Sequence, residues 1–244
     1  MILTDVKKIK AVAFDLDGTL TQHKQPLTPE NRATLDKLGE RYKLVMAGAG
    51  QVMRIFNQMG QYPIDIIGNY GLQLGLYNEK TGEMDIVRDE KLECDRERTE
   101  KAVSYFREKF GFTEYRGKNV EYHPSGCITF PILGTEALIE DKLSFDPDRA
   151  KRRRIYDEVS AAFPDYHVFV GGSSSFDMAP KPYNKYYALD LFCRERGLSH
   201  DSVVFVGDDY GLGGNDESVY KSDFPFLTID DYRDFPKVVE VLLG

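Results

Sequence analysis

The sequence of 244 residues contains no tryptophan and only three cysteines, Cys94, Cys127 and Cys193. These cysteines are odd in number, lie far apart and form no CxxC pair, which argues against a disulfide framework or a zinc ribbon. Long apolar runs are also missing. No segment approaches the length of a membrane span, and the first ten residues lack the apolar stretch of a signal peptide. These absences predict a reduced, cytoplasmic protein that does not enter a membrane.

Positive charge is in deficit, with 32 Lys and Arg against 40 Asp and Glu and a formal net charge of −8. An acidic balance disfavours binding to nucleic acid or to an anionic membrane surface, so we expect neither as a partner. The remaining composition, 41% hydrophobic and 30% charged residues, is ordinary for a globular protein. The length allows one or two domains.

Strand and helix patterns alternate in the first third of the chain and again near its end, which is typical of a parallel sheet covered by helices. The predicted strands lie at residues 9–14, 44–47, 64–67, 203–206 and 226–229. The predicted helices lie at residues 29–41, 52–59, 186–196 and 216–221.

The middle of the chain has a different pattern, with helices predicted at 90–110 and 149–163 and strands within 120–131, 166–170 and 174–178. This pattern indicates a separate α+β unit. We therefore predict an α/β fold in which a Rossmann-like core with a parallel sheet is built from residues 1–82 and 184–244. The α+β domain, residues 83–183, is inserted between them.

Two carboxylates, Asp15 and Asp17, directly follow the first predicted strand in the segment DLDGT. Ligands of open α/β sheets bind beyond the carboxyl ends of strands, and Mg²⁺ prefers carboxylate oxygens. Alternation along the chain places the two carboxylates on one side. Gly18 lets the backbone turn sharply towards a ligand, and the Thr19 hydroxyl can hold the second aspartate or cap the turn.

A second acidic group follows the strand predicted at 203–206. Asp208 could complete a metal site, and Asn215 and Asp216 could bind the metal or surround its ligands. Lys185, just before a predicted helix, could neutralise a phosphate group and a nucleophile. Each motif alone is compatible with ordinary turn and helix caps. All of them together favour a site for phosphoryl transfer.

These segments resemble motifs one, three and four of the haloacid dehalogenase-like phosphotransferases. Over most of its length the chain further resembles the eukaryotic-type phosphomannomutase branch of that superfamily. The segments that carry this second resemblance are residues 64–71, Arg116-Gly117 with Glu121, 171–172, 175–177 and 213–216. The branch has an α+β cap domain of type C2B, which agrees with the inserted domain. Its caps often form dimers, so a homodimer through the cap is expected.

The resemblance implies that Asp15 attacks phosphorus in line and forms an aspartyl-phosphate. It implies that Mg²⁺ is held by the Asp15 carboxylate, the Asp17 backbone carbonyl and Asp208. The metal and Lys185 would offset charge on the transferring group. Asp17 would act as general acid and base: it protonates the leaving oxygen and then deprotonates the acceptor.

Residues that would contact the substrate are partly retained, and Thr19 is expected to be one of them. Ser175 and Asp177 stand where the branch contacts sugar hydroxyls, and Lys24 aligns with a core arginine. The loop after the second strand, which includes Gly48 and Ala49, lacks the hydroxyl with which the branch binds the transferring phosphoryl group. Backbone N–H groups of this loop could substitute for it.

The cap arginines that bind a second phosphate in the branch are replaced. The positions concerned are His123, Gly134, and Asp141 or Lys142. A rebuilt phosphate site could use Lys142, Arg149 or Arg152, although the basic run 149–154 is also compatible with a solvated helix face.

Three hypotheses about function follow. The intact Asp15, Asp17, Lys185 and Asp208 set, with a disrupted cap, favours a Mg²⁺-dependent phosphatase of a small sugar-like phosphate ester. The alternative is a phosphomannomutase-type isomerase, which interconverts hexose 1- and 6-phosphates and needs cap cations. The third hypothesis is a non-catalytic binding protein that has kept the fold.

Overall fold

The computed structural model describes residues 6–244, so residues 1–5 of the predicted core segment lie outside the described part. The described residues form eleven strands, which are β1 (Ala11–Phe14), β2 (Lys43–Ala47), β3 (Asp65–Gly68), β4 (Gln73–Asn78), β5 (Glu83–Asp89), β6 (Glu121–Tyr122), β7 (Ile128–Pro131), β8 (Tyr166–Phe169), β9 (Ser175–Pro180), β10 (Val203–Gly207) and β11 (Phe226–Thr228).

The same part of the chain forms nine α-helices, which are α1 (Pro29–Gly39), α2 (Val52–Gln58), α3 (Arg96–Phe110), α4 (Ile139–Phe145), α5 (Ala150–Ala162), α6 (Lys185–Arg196), α7 (Glu217–Tyr220), α8 (Phe235–Val238) and α9 (Glu240–Leu243). No helix within residues 6–244 has the length and apolar character needed to cross a membrane.

These elements belong to two compact units. The core unit comprises residues 6–89, 184–211 and 216–244, and the inserted unit comprises residues 90–183 and 212–215.

The core unit is built on a seven-stranded sheet in the order β11-β10-β1-β2-β3-β4-β5. The five strands from β11 to β3 are parallel, whereas β4 and β5 are added antiparallel. All four residues of β1 are fully buried. This is expected for a parallel strand that is covered on both faces. The structure thus confirms the predicted α/β fold with a mostly parallel sheet.

Alternate residues of β1 belong to two different apolar clusters, one on each face of the sheet. Val12 and Phe14 pack in the cluster that includes residues of α1 and α2. Ala11 and Ala13 pack in the cluster that includes residues of α6. Helices α2 and α6 therefore cover opposite faces of the core sheet.

Helix α1 shows how local sequence fixes an element of the core. The Thr28 side chain accepts a hydrogen bond from the N–H of Asn31 at 3.2 Å, and Pro29 occupies the first turn. Such a cap contributes about 1 kcal/mol, and proline is favoured where its missing N–H costs no helical bond. Leu35 and Leu38 are fully buried, as the predicted apolar face requires.

The hairpin β4–β5 was not predicted, and because of it the first segment of the core unit extends to Asp89. Strand β5 pairs with β4 in the core sheet, seven residues beyond the predicted limit at residue 82. The helix predicted from residue 90 begins instead at Arg96, because the Asp95 side chain accepts from the N–H of Arg98 at 3.0 Å and caps it. Both differences arise in a segment without clear periodicity.

The inserted unit is an α+β structure with a four-stranded antiparallel sheet in the order β6-β7-β9-β8. Helices α3 and α5 supply Phe106 and Val159 to a cluster with Phe130 and Phe176 of the strands. Stacking of Phe130 and Phe176, with ring centroids 6.2 Å apart, lies in this cluster. Helix α4 buries none of its residues.

Candidate active site

The ends of two adjacent strands bring three carboxylates of the core unit together. Asp15 follows β1, Asp208 follows β10, and Asp216 precedes α7. One oxygen from each lies within 4.8 Å of the others. Because β1 and β10 are parallel neighbours with Phe14 opposite Val206, their carboxyl ends coincide. The structure therefore places the aspartates that follow these two strands at one edge of the core sheet.

Lys185 is the cation of this cluster. It is the first residue of α6, and its Nζ lies 2.6 Å from an Asp15 oxygen and 2.6 Å from an Asp216 oxygen. Only 1% of the residue is exposed. The Asn184 side chain caps α6 by accepting a hydrogen bond from the N–H of Tyr187 at 2.8 Å. This cap fixes the start of the helix and so the position of the Lys185 backbone.

One lysine does not balance the charge of the cluster. Burial raises the pKa of Asp15 to about 6; Lys185 opposes this shift and Asp216 adds to it. Burial raises the pKa of Asp208 to about 8, with Asp15 and Asp216 adding to the shift and Lys185 opposing it. Although burial alone would lower the pKa of Lys185, Asp15 and Asp216 raise it.

These pKa directions have one common physical cause, which is negative charge held away from water. A divalent cation would offset that charge, and carboxylate oxygens are the ligands that Mg²⁺ prefers. The three carboxylates therefore fit a metal of this kind, and Asp15 and Asp208 are the residues with an oxygen to offer.

Asp216 is already engaged on both oxygens. One accepts from Lys185, and the other accepts from the N–H of Asp209 at 3.0 Å. In return, the N–H of Asp216 donates to the Asp209 carbonyl at 3.0 Å. Asp216 thus positions Lys185 and the segment after β10. Asn215 lies in the inserted unit, and its place as a metal ligand stays a prediction.

Gly18 and Thr19 support Asp208 rather than a substrate. Gly18 has φ +100°, and a Cβ there would lie 2.4 Å from an Asp208 oxygen, so any larger residue would be excluded. The Thr19 hydroxyl donates to the other Asp208 oxygen at 2.9 Å, and Thr19 is fully buried. The predicted contact of Thr19 with substrate is therefore corrected: it holds Asp208, the aspartate of the other strand.

Asp17 lies outside the three-carboxylate cluster and has different neighbours. One oxygen accepts from the N–H of Lys24 at 2.7 Å and from the Gln58 side chain at 2.8 Å. The other lies 3.9 Å from both Arg54 and His23 nitrogens. Two carboxylates in separate environments suit two different roles. Lys24 contributes its backbone here, and sequence reasoning missed Gln58 and Arg54.

The glycine loop after β2 offers fewer backbone donors than expected. The N–H of Gly48 donates to the Ile67 carbonyl at 2.9 Å, because the pairing of β2 with β3 continues through this residue. The carbonyls of Gly48 and Gly50 accept from Tyr70 and Asn69. Gly48 is thus a backbone element of the sheet, which corrects its predicted role as a phosphate donor. For Ala49 that role stays a prediction.

The predicted sugar-contacting residues form a hydrogen-bonded network within the inserted unit. The Thr129 hydroxyl donates to an Asp177 oxygen at 2.9 Å, and His123 Nε2 lies 3.1 Å from the Thr129 hydroxyl. The Ser175 hydroxyl lies 3.4 Å from the same Asp177 oxygen and 3.1 Å from the Gly171 carbonyl. Sequence reasoning missed Thr129, which shares a face with Asp177 on the neighbouring strand.

The predicted clamp residues Arg152 and Lys142 are committed to the backbone of their own unit. Arg152 is fully buried; its Nε donates to Asp146 at 2.8 Å, and its Nη1 donates to the Ser175 carbonyl at 2.9 Å. Lys142 Nζ donates to the Thr135 carbonyl at 2.9 Å. Arg152 is therefore a structural residue, and its predicted contact with a phosphate is wrong.

Comparison with known proteins agrees with this site. The sequence profile of the eukaryotic phosphomannomutase family matches residues 31–231. A Caenorhabditis elegans protein named probable phosphomannomutase is 24% identical over 245 aligned residues, which cover 95% of this chain and 94% of that protein. The phosphomannomutase of Saccharomyces cerevisiae is 25% identical over 217 residues, which cover 86% of this chain and 84% of that protein.

The fold has counterparts among solved structures. A haloacid dehalogenase-like hydrolase from Bacillus subtilis superposes with a TM-score of 0.62 at 16% identity, covering 94% of this chain and 92% of that one. Fold and sequence matches together define a haloacid dehalogenase-like phosphoryl-transfer enzyme. Since the profile spans most of the chain, the protein belongs to the eukaryotic phosphomannomutase family.

Proposed function

We propose that the protein is a sugar-phosphate mutase of the phosphomannomutase type, with Asp15 as the phosphoryl acceptor. The observation that carries this proposal is the buried contact of Asp15 with Lys185, 2.6 Å long, beside Asp208 and Asp216. The family match, which runs through both units, supports a sugar phosphate as the substrate. The comparisons thus favour the alternative hypothesis of the sequence analysis over the phosphatase.

Asp15 is the only proposed nucleophile. One of its oxygens forms a bond to phosphorus while the bond from phosphorus to the sugar oxygen breaks. Lys185 keeps the carboxylate oriented and stabilises negative charge that develops on the phosphoryl group. When the sugar hydroxyl attacks in turn, the bond between Asp15 and phosphorus breaks. Mg²⁺, which we propose as the cofactor held by Asp15, the Asp17 carbonyl and Asp208, supplies further charge neutralisation when bound.

Asp17 is the proposed general acid and base. In the first step it gives a proton to the sugar oxygen that leaves phosphorus, and in the second it takes a proton from the attacking hydroxyl. The N–H of Lys24 and the Gln58 side chain hold one oxygen of this carboxylate. The other oxygen is left to exchange the proton.

A phosphatase remains the second candidate because of one observation in the inserted unit. A mutase holds a second phosphate while the sugar reorients, and bidentate cations suit this task. Arg152 and Lys142, two of the three cations proposed for it, are bound to carbonyls within the unit. If no other cation replaces them, water becomes the acceptor.

The two reactions can be separated by their products. Mannose 1-phosphate is incubated with the protein, MgCl₂ and a trace of hexose bisphosphate, and the mixture is followed by ³¹P NMR. Mannose 6-phosphate should accumulate with little inorganic phosphate, and Asp15→Asn should abolish its formation. Inorganic phosphate as the main product would identify the phosphatase instead. Absence of both products across a panel of sugar phosphates would refute both.

We also propose a homodimer formed through the inserted unit. Helix α4 buries none of its residues, and Leu138, Ile139 and Leu143 at its surface are each more than half exposed. Apolar side chains grouped in this way are typical of protein–protein contacts.

A further inference from the structure

The guanidinium of Arg54 packs against Gly50, a residue without a side chain in the loop after β2. A Cβ at Gly50 would lie 2.0 Å from Nη2 of Arg54 and 2.4 Å from its Nε. The guanidinium therefore fills the space that a side chain at position 50 would need. The backbone of Gly50 is outside the left-handed region, so conformational freedom is not the reason for glycine here.

The guanidinium is oriented by a second set of contacts. Its Nη1 donates to the side-chain oxygen Oε1 of Gln58 at 2.7 Å, an i,i+4 contact along α2. The amide nitrogen of Gln58 donates to Asp17 at 2.8 Å, and Arg54 Nη1 lies 3.9 Å from the other Asp17 oxygen. Arg54 is thus held beside Asp17 with 45% of its side chain still exposed.

Arg54 and Lys185 approach the end of β1 from opposite faces of the core sheet. Helix α2 packs in one apolar cluster and α6 in the other. Lys185 pairs with Asp15, whereas Arg54 lies close to Asp17, two residues further along. A phosphoryl group that passes between Asp15 and an oxygen near Asp17 would therefore have a cation on each side.

We propose that Arg54 is the second cation that contacts the transferring phosphoryl group, and that Gly50 is required to let it do so. This inference rests on the proposed phosphoryl transfer and holds for a mutase and for a phosphatase. A guanidinium offers five N–H donors in a planar fork that suits phosphate oxygens. The guanidinium would thus make the contact with the phosphoryl group that a hydroxyl makes in related proteins and that residues 48–50 cannot provide.

The first test measures binding rather than turnover. The affinity for inorganic phosphate is determined by isothermal titration calorimetry, with and without MgCl₂, for the wild type and for Arg54→Met. The dissociation constant should rise at least about tenfold on loss of the cation. The control is Arg194→Met, which removes an exposed arginine paired with Asp190 on α6 and should leave the constant unchanged.

The second test is a double-mutant cycle on kcat/KM of phosphoryl transfer. Arg54→Met should lower it about 100-fold, as expected for loss of one donor to the transition state. Gly50→Ala, which adds a Cβ but no hydroxyl, should also lower it, because the Cβ displaces the guanidinium. In the Arg54→Met background the same alanine should cause no further loss, since no guanidinium remains to be displaced. Arg54→Lys, which keeps the charge but not the fork, should be intermediate.

Arg54→Met with a phosphate affinity and a kcat/KM within about threefold of the wild type would overturn the proposal, as would losses in the cycle that simply multiply. If the wild type converts no sugar phosphate but Arg54→Met still weakens phosphate binding, the proposed function fails, whereas Arg54 remains a phosphate-binding residue. Circular dichroism of each variant confirms that it is folded.

Discussion

Asp177 illustrates how a single partly buried carboxylate can respond to pH. Burial raises its pKa above the ordinary value of 3.8, although Thr129, His123 and Arg152 act in the opposite direction. Between the ordinary and the raised pKa, the folded protein keeps a proton that the unfolded chain has lost. The free energy of unfolding should therefore fall as pH rises from about 4 through this window.

Asp177→Asn should remove that dependence and keep an acceptor for the Thr129 hydroxyl. Its free energy of unfolding relative to the wild type should grow with pH above about 4, by up to about 1.4 kcal/mol per pH unit within the window. Urea unfolding at several pH values measures this difference. Asp141→Asn, which removes an exposed charge on α4, is the control. A constant difference across pH would contradict the prediction.

Asp15 and Asp208 could be predicted as site residues because each directly follows an apolar run that predicts a strand, and parallel neighbours end at one edge. The partners of these residues could not be predicted in the same way. Thr19 donates to Asp208, which is 189 residues away, and nothing in the local sequence encodes that distance.

Helix α5 shows how the sequence of an element can mislead, because one arginine of its basic run, Arg152, is fully buried. Arg152, Ile155, Tyr156 and Val159 follow the i, i+3, i+4, i+7 spacing of one helix face, and the last three pack in the apolar cluster of the inserted unit. The spacing therefore indicates that Arg152 lies on the buried face of the helix, whereas its charge favours an exposed position. The edge strand β5 lacked any such signal, since Ile86 and Val87 are both exposed.

Arg152→Met is expected to destabilise α5 and the unit around it. It leaves the buried Asp146 carboxylate without its partner, which typically costs about 3–5 kcal/mol. Arg154→Met, on the exposed side of the same helix, should change the free energy of unfolding by less than about 0.5 kcal/mol. Denaturant unfolding followed by circular dichroism compares the two. If Arg152→Met were as stable as the wild type but had a higher KM, Arg152 would be a substrate residue after all.

For the molecule as a whole, the proposed homodimer gives a direct prediction. Ile139→Lys with Leu143→Lys places two charges in the apolar surface of α4 and should convert a dimer to a monomer, because desolvated unpaired charges oppose association. Light scattering after size-exclusion chromatography reports the mass. Met53→Lys, an exposed apolar residue of α2 in the core unit, is the matched control. A monomeric wild type would contradict the proposal.

The order of strands in the core sheet also decides when the site can exist during synthesis. Strand β1 lies between β2 and β10, and its pairing partner β10 emerges from the ribosome only after residues 90–183 of the inserted unit. Until then β1 presents an unpaired edge of four apolar residues, the kind of edge that recruits other chains. Asp15 likewise waits for Lys185, Asp208 and Asp216. The nascent chain therefore contains the nucleophile Asp15 early, but the site is complete only after Asp216 has been synthesised. Between these two points the chain is most prone to aggregation.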